Sequence, residues 1–454
     1  MSVWAFVQAR PWLGIAFVLG TLGLALVVLR WAQVHRGLAP EGARKGLHVT
    51  MGAVTIPFPW LFDGAAPVVA LAALAVGLMV AVRRVSALSK RVGGVIHSVE
   101  RRSYGEIYFP IAVCALYLLA AETPVLYAVP LLLLGLADPA AALVGLRHGF
   151  VSYAAVDGRK SREGSVAFFA VAFLCVHVPL LLLTETGRAE SLLVACLVGI
   201  LAMMLEAVSW RGLDNLFVPL GAYVILTRLL DLSAALLVGH LLVLVALAAG
   251  AALSRRTTTL DGSAVVGAAL VGYVTWAVGG TVWLLAPLGL YFTYARLWPR
   301  GTARSDTVHN VFSVTSVGTV WLLAAALASR PDLLFPYTLA YAGYLALFGV
   351  GELRGRHPER SPARIARTAT VWSVAVQVLP VLALYLTRGT PAPVARAVVF
   401  LLLGTVAVGG TAYIAARYAR ALDEETTDFE GRVYRAALVG AASSLGLLAP
   451  LLLR

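Results

Sequence analysis

Three short polar strings interrupt an otherwise apolar chain: LADPAAALVG around Asp138, GRKSREGS around Lys160, and EAVSWRGLDN around Asp214. Each lies at the end of a long apolar run. A carboxylate in apolar surroundings is costly to desolvate, so it needs a metal, a cation or a bound ligand as its partner. Two acids, a lysine and a small-residue turn gathered at one membrane face suggest a site for magnesium and phosphate. A substrate would reach such a site from within the bilayer.

The strings differ in what they offer. Pro139 removes one backbone hydrogen bond beside Asp138 and can kink its helix, while Ala140, Ala141 and Ala142 allow close helix approach. Asp138 can ligate magnesium or pair with a cation, and a structural ion pair is the plainer alternative. In the second string Arg159, Lys160 and Arg162 run into an apolar segment. Ser161 or Glu163 can cap that helix, and its first turn, with Gly164 and Ser165, offers backbone amides to a phosphate beside Lys160. The P-loop spacing is absent, so this is not a Walker motif. In the third string Glu206 sits in the last turn of one helix, and Asp214 and Asn215 open the next. Asp214 fits the N-cap preference, and an Asp–Asn pair also supplies oxygen ligands of the kind magnesium takes.

Two weaker strings lie upstream. Arg44 and Lys45 suit phosphates or lipid headgroups at a membrane face, and His48 follows within a turn, able to assist proton transfer. Glu106 stands near Arg101 and Arg102 as a metal ligand, a base or half of a salt bridge. His177 and His240 lie mid-span and read as hydrogen-bonded to a neighbouring helix rather than catalytic. Cys114, Cys175 and Cys196 lie in apolar runs and give neither a disulfide framework nor metal-ligand spacing.

The elements that position these residues follow from composition. The chain is 60% hydrophobic and 13% charged, with mean hydropathy +0.85. A soluble domain carries about 25% charged residues. Apolar blocks of about 17–25 residues mark an all-α polytopic integral membrane protein and exclude a β-barrel. We draw about sixteen spans: 11–29, 46–62, 65–82, 107–121, 124–146, 166–184, 190–208, 215–228, 232–253, 263–279, 281–296, 309–328, 333–351, 366–387, 393–416 and 434–453. The net charge of +13 is topological. Every lysine and arginine except Arg10, Arg188, Arg228, Arg330, Arg388, Arg396 and Arg454 falls on one set of alternating connectors. By the positive-inside rule that set is cytoplasmic and both termini are not, with anionic lipids as secondary partners and no role for nucleic acid. The polar strings then face the cytoplasm of a multi-pass protein of the cell (inner) membrane. They concentrate between residues 40 and 220. We therefore divide the chain into a catalytic bundle over 1–231, a linking helix over 232–256, and a second bundle over 257–454.

Taken in order, Arg44-Lys45-x-x-His48, Tyr104-Gly-Glu-Ile107, Asp138-Pro-Ala-Ala, Lys160-Ser-x-Glu-Gly-Ser165 and Glu206…Leu213-Asp-Asn…Val218-Pro-Leu220 resemble the phytol kinase and dolichol kinase family. These are membrane-embedded, CTP-using lipid-alcohol kinases related to phosphatidate cytidylyltransferases. The likeness runs from about Arg44 to Leu220. It departs from the pattern at Ala137-Asp138-Pro139, where many members would show Gly-Asp-Gly or Gly-Asp-Pro. The resemblance implies transfer of the γ-phosphoryl group of CTP (or ATP) to an isoprenoid or other long-chain alcohol. Asp138 and Asp214, with Asn215 or Glu206, would then hold Mg2+. Lys160 and the Ser161–Ser165 helix start, with Arg44 or Lys45, would hold phosphates, and Glu106 or His48 would orient the alcohol. The run Leu260-x-Gly-Ser-Ala-Val-Val-Gly…Gly272 with Gly279-Gly280 is similar, more faintly, to the membrane family that includes phytyl-phosphate kinase. No activity is assigned to that half. A cytidylyltransferase needs the same metals and stays open as a rival, as does a transporter or membrane scaffold.

Overall fold

A computed structural model of the chain describes residue 8 and residues 10–84, 103–155, 158–254, 258–297, 307–387, 393–425 and 429–447. Arg101, Arg102 and Asp157 lie outside the described residues. The protein is an all-α polytopic membrane protein. Among the described residues, eleven helices are long and apolar enough to cross a bilayer, and two shorter apolar helices accompany them. The chain divides into two compact units, residues 1–243 and 244–454.

Unit 1 begins with α1 (Pro11–Arg36), α2 (Pro40–Thr55), a single turn α3 (Phe58–Leu61) and α4 (Ala65–Arg84). Proline opens several of these helices, where its missing N–H costs nothing and its fixed φ suits the first turn. Next come α5 (Gly105–Ala120) and a long span built of α6 (Pro124–Leu132), a π-helical turn (Leu133–Ala137) and α7 (Asp138–His148). The kink expected at Pro139 is realised as this π turn. A proline in a helix clashes with the carbonyl four residues back, which here is Gly135, and the wider turn relieves that clash.

A short antiparallel hairpin follows, β1 (Ser152–Ala155) and β2 (Gly158–Ser161), with Tyr153 opposite Lys160. Unit 1 continues with α8 (Arg162–Leu183), α9 (Arg188–Val208) and α10 (Asp214–Leu229). Helix α11 (Ala234–Ser254) carries the division between units. Phe58, Phe62, Phe109, Leu116, Tyr127 and Leu134 form part of the unit 1 core. A buried tyrosine hydroxyl in such a core needs a partner. Tyr127 donates to the Thr55 carbonyl at 2.9 Å and Tyr117 to that of Phe62 at 2.8 Å.

Unit 2 holds α12 (Gly262–Gly279), α13 (Thr281–Leu297), α14 (Val308–Ala328), α15 (Leu334–Arg356), α16 (Pro362–Ser373), a second π turn (Val374–Val378), α17 (Leu379–Thr387), α18 (Pro393–Glu425) and α19 (Phe429–Ser444). The span containing α15 is its central element, with 78% of its apolar window buried against 22% for α14. Among its core residues are Phe335, Leu339 and Phe400, and Trp283, Tyr337 and Tyr341 cluster beside them.

Candidate active site

The site is assembled on the π turn of unit 1. Gly52 of α2 lies directly against Gly135, and a Cβ on Gly52 would stand 2.9 Å from the Gly135 Cα. This glycine pair lets the two backbones close together. One turn before Gly52, His48 Nε2 lies 3.1 Å from the Leu134 carbonyl oxygen and 3.7 Å from Asp138 Oδ2. Two turns before it, Lys45 donates to Asp138 Oδ2 at 2.7 Å. Lys45 is 5% exposed and Asp138 6%, so a charged pair is held away from water. Arg44, a residue away and about 100° around the helix, pairs instead with Glu41, at 2.9 Å from Nε to Oε2.

A second, half-buried pair is coupled to the first, since Asp138 acts on Glu206. Helices α7 and α8 approach through Gly145 and Gly164, where a Cβ on Gly164 would meet the Ala141 carbonyl at 2.8 Å. Ser161 is the N-cap of α8 and accepts from the Gly164 amide at 3.0 Å. Its neighbour Lys160 donates to Glu206 Oε1 at 2.7 Å and also to the Glu206 carbonyl. Burial alone would lower the Lys160 pKa, but Glu206 and Asp214 outweigh it and hold the ammonium above its ordinary 10.5. Glu163 bonds the Val151 amide at 3.2 Å, and Ser165 Oγ meets the Tyr153 hydroxyl at 3.0 Å. Both therefore brace the hairpin that presents Lys160.

Asp214 joins the pairs electrostatically, acting on Arg44, His48, Lys160 and Glu206, while Asp138 acts on Arg44, His48 and Glu206. Its expected capping role is corrected. Helix α10 starts at Asp214 itself, Leu213 is the N-cap, and no side chain caps the helix. The turn before it already supplies acceptors: the Asn215 amide goes to Gly212 and those of Leu216 and Phe217 to Leu213. The carboxylate is thereby left for other work. Asn215 is buried with its amide nitrogen against Gly105. Gly212 has φ +83°, a conformation side chains rarely adopt, and packs on the Gly105 backbone. Glu106 stands apart from both lysine pairs, bonded to Arg83 at 2.5 Å, while the Arg83 guanidinium lies 4.5 Å over the Tyr104 ring.

The donors at this site are hard oxygens, which suit magnesium. Among the described residues no three His, Cys, Asp or Glu converge to hold a metal alone. The set therefore fits an ion held by one or two carboxylates and completed by phosphate oxygens and water, which is how magnesium is commonly bound. In unit 2 a separate cavity of about 620 Å³ is lined by apolar side chains together with Tyr291, Asn310, Ser313, Tyr344, Arg432 and Arg435.

A polytopic helical membrane protein with a buried lysine–aspartate pair at a helix irregularity is the class this fold and site define. Over 218 residues, 47% of this chain and 91% of the relative, the sequence is 34% identical to a phytol kinase of Synechocystis sp.. The chain belongs to the phytol/dolichol kinase-like family. No protein-family model and no solved structure matches it.

Proposed function

We propose that unit 1 transfers the γ-phosphoryl group of CTP, or of ATP, to an isoprenoid or other long-chain alcohol at the cytoplasmic face of the cell membrane. The observation that carries this reading is the pair of lysine–carboxylate contacts, Lys45–Asp138 buried and Lys160–Glu206 half-buried, with the Asp138 charge acting on Glu206. The likeness to a phytol kinase supports it.

Phosphoryl transfer asks little covalent chemistry of a protein and much positioning and charge neutralisation. A buried charge left without a partner costs about 3–5 kcal/mol, so the site keeps its charges paired before substrate arrives. A nucleotide polyphosphate can take the place of Asp138 on Lys45 and of Glu206 on Lys160. Asp138, so released, and Asp214 would hold Mg2+, and the ion would supply charge neutralisation at the phosphates. Lys45 and Lys160 draw the phosphates to the membrane end of the helices, and the alcohol approaches from the hydrocarbon side. Its oxygen bonds to the γ-phosphorus as its O–H bond breaks and the proton passes to His48 or to water; the bridging P–O bond breaks, and the nucleoside diphosphate leaves with that electron pair.

The test uses purified protein in lipid with magnesium, γ-labelled CTP or ATP, and alcohols from farnesol to phytol length. Label in the lipid phase, lost in Asp138→Asn, is the expected result. CMP transfer to phosphatidate with release of pyrophosphate would replace the kinase by a cytidylyltransferase. Absence of both products would overturn the enzymatic reading.

A further inference from the structure

The π turn does more than bend the helix beside Asp138. In an α-helix the Leu134 carbonyl would accept the amide of residue 138, and in a π-helix that of residue 139. Here the Asp138 amide goes to the Leu133 carbonyl instead. Residue 139 is a proline and has no amide hydrogen. Neither backbone donor therefore serves Leu134, and a carbonyl so buried needs one. His48 Nε2 stands 3.1 Å from it. A carbonyl only accepts, so the ring nitrogen facing it carries the hydrogen. Phe109 packs edge-on against the imidazole, with ring centroids 5.4 Å apart, and limits its rotation. A neutral imidazole with its hydrogen on Nε2 has Nδ1 as its acceptor.

We propose that Pro139 is a positioning residue: by withholding an N–H from the Leu134 carbonyl it leaves that carbonyl to His48, which fixes the Nε2–H tautomer and makes Nδ1 the acceptor that orients the substrate hydroxyl. The tautomer is a property of the fold alone, whereas its use on an alcohol rests on the kinase reading. Restoring an N–H at position 139 gives Leu134 a backbone donor in either helical register, and His48 must then compete for it. Lys45 holds Asp138 independently of this bond, so the ion pair need not follow the imidazole.

Two measurements separate the parts. The first needs no activity: imidazole nitrogen-15 spectra of the full chain in lipid, with His48 assigned as the signal missing from His48→Gln. Nε2–H with unprotonated Nδ1 is expected in the wild type, and a mixture of tautomers in both Pro139→Ala and Pro139→Ser. Nδ1–H in the wild type, or no change in the two variants, overturns the proposal. The second is a kinetic cycle of Pro139→Ala and His48→Ala on the phosphorylated alcohol. Loss of one oriented hydrogen bond predicts a fall of roughly 10-fold in kcat for Pro139→Ala, and no further fall when His48 is already alanine. Equal falls in both backgrounds would make Pro139 merely structural. A wild type that phosphorylates no alcohol, yet shows the expected tautomer, overturns the hydroxyl-orienting role and the kinase reading together while leaving the Pro139–His48 linkage intact.

Discussion

Both units contain the same helix irregularity, and they use it differently. In unit 1 the π turn Leu133–Ala137 is followed by Asp138 and Pro139. In unit 2 the π turn Val374–Val378 is followed by Leu379 and Pro380. The backbone logic is identical, because the residue after each turn gives its amide to the first carbonyl of the turn and the next residue has none to give. The side chains part company. Asp138 is 6% exposed and held by Lys45, whereas Leu379 is 44% exposed on the outer surface of its bundle. The buried polar group of the second turn is the neutral Gln377, which packs on Gly289; neither of its amide atoms, nor the Ser373 hydroxyl, has a partner among the described residues. A proline-driven π turn is thus a device for turning a helix face, and it becomes chemical only where a charge and its counter-charge are set into it.

The comparison can be broken most severely at its acidic end. Asp138→Ala leaves Lys45 buried without its partner, which costs about 3–5 kcal/mol of stability. Phosphorylation is expected to vanish, and a melting curve in lipid beside the labelled-lipid assay checks both effects. Introducing an acid at the equivalent place of unit 2 is the converse. Leu379→Asp puts a carboxylate on an exposed, apolar face with no lysine set opposite it, and about 2.5–3.5 kcal/mol of insertion free energy is expected to be lost. Glycosylation-site mapping of membrane insertion would read that loss.

Gly52→Ala forces the α2 backbone away from Gly135, at about 1–3 kcal/mol, and is expected to lower activity by loosening Lys45 and His48 from Asp138. Gly343→Ala in unit 2, where a Cβ would meet Val439 side-chain atoms at 3.3 Å, is expected to leave activity unchanged. A melting-temperature series on the two variants compares the costs. The alkaline limit is a milder probe. Lys160 is raised above 10.5 because Glu206 and Asp214 outweigh its burial. Its folded value exceeds its unfolded one, so its contribution to stability is complete below about pH 10.5 and is lost as pH rises through the folded value. Melting curves of the wild type should separate from those of Lys160→Met below that pH and converge with them above it. The smallest effect on catalysis, none, belongs to Gln377→Leu, which removes two buried polar atoms without a partner among the described residues and is expected to stabilise by about 1–3 kcal/mol.

Much of this was legible because charge is rare in a span. Asp138, Lys160, Glu206 and Asp214 stand out in apolar runs by type alone, and the helical segments follow from hydropathy. Pairing was not legible. Arg44 and Lys45 are equivalent as letters, yet one turns to Glu41 on its own helix and the other inward to Asp138, a difference set by the helical phase of α2 against the π turn. That turn has only one sign in the sequence, a proline inside a helical span. The hairpin that carries Lys160 has only a weak signature in the sequence. Its signal was Asp157-Gly158, a dipeptide common at hairpin turns, but four-residue strands inside a basic loop carry too little apolar alternation to register. Glu106 reads as a metal ligand, a base or half of a salt bridge near Arg101 and Arg102; the salt bridge is present, but its partner Arg83 comes from the end of another span, which no local pattern discloses.

By the proposal above, the π turn of unit 1, and not its counterpart in unit 2, carries phosphoryl transfer. The most direct test measures γ-label passing from CTP or ATP into an isoprenoid alcohol in lipid-reconstituted wild type, Asp138→Asn and Leu379→Asn. Transfer in the wild type, its loss in Asp138→Asn and its survival in the correctly inserted fraction of Leu379→Asn are expected. Retained transfer in Asp138→Asn, or its loss only in Leu379→Asn, would contradict the account.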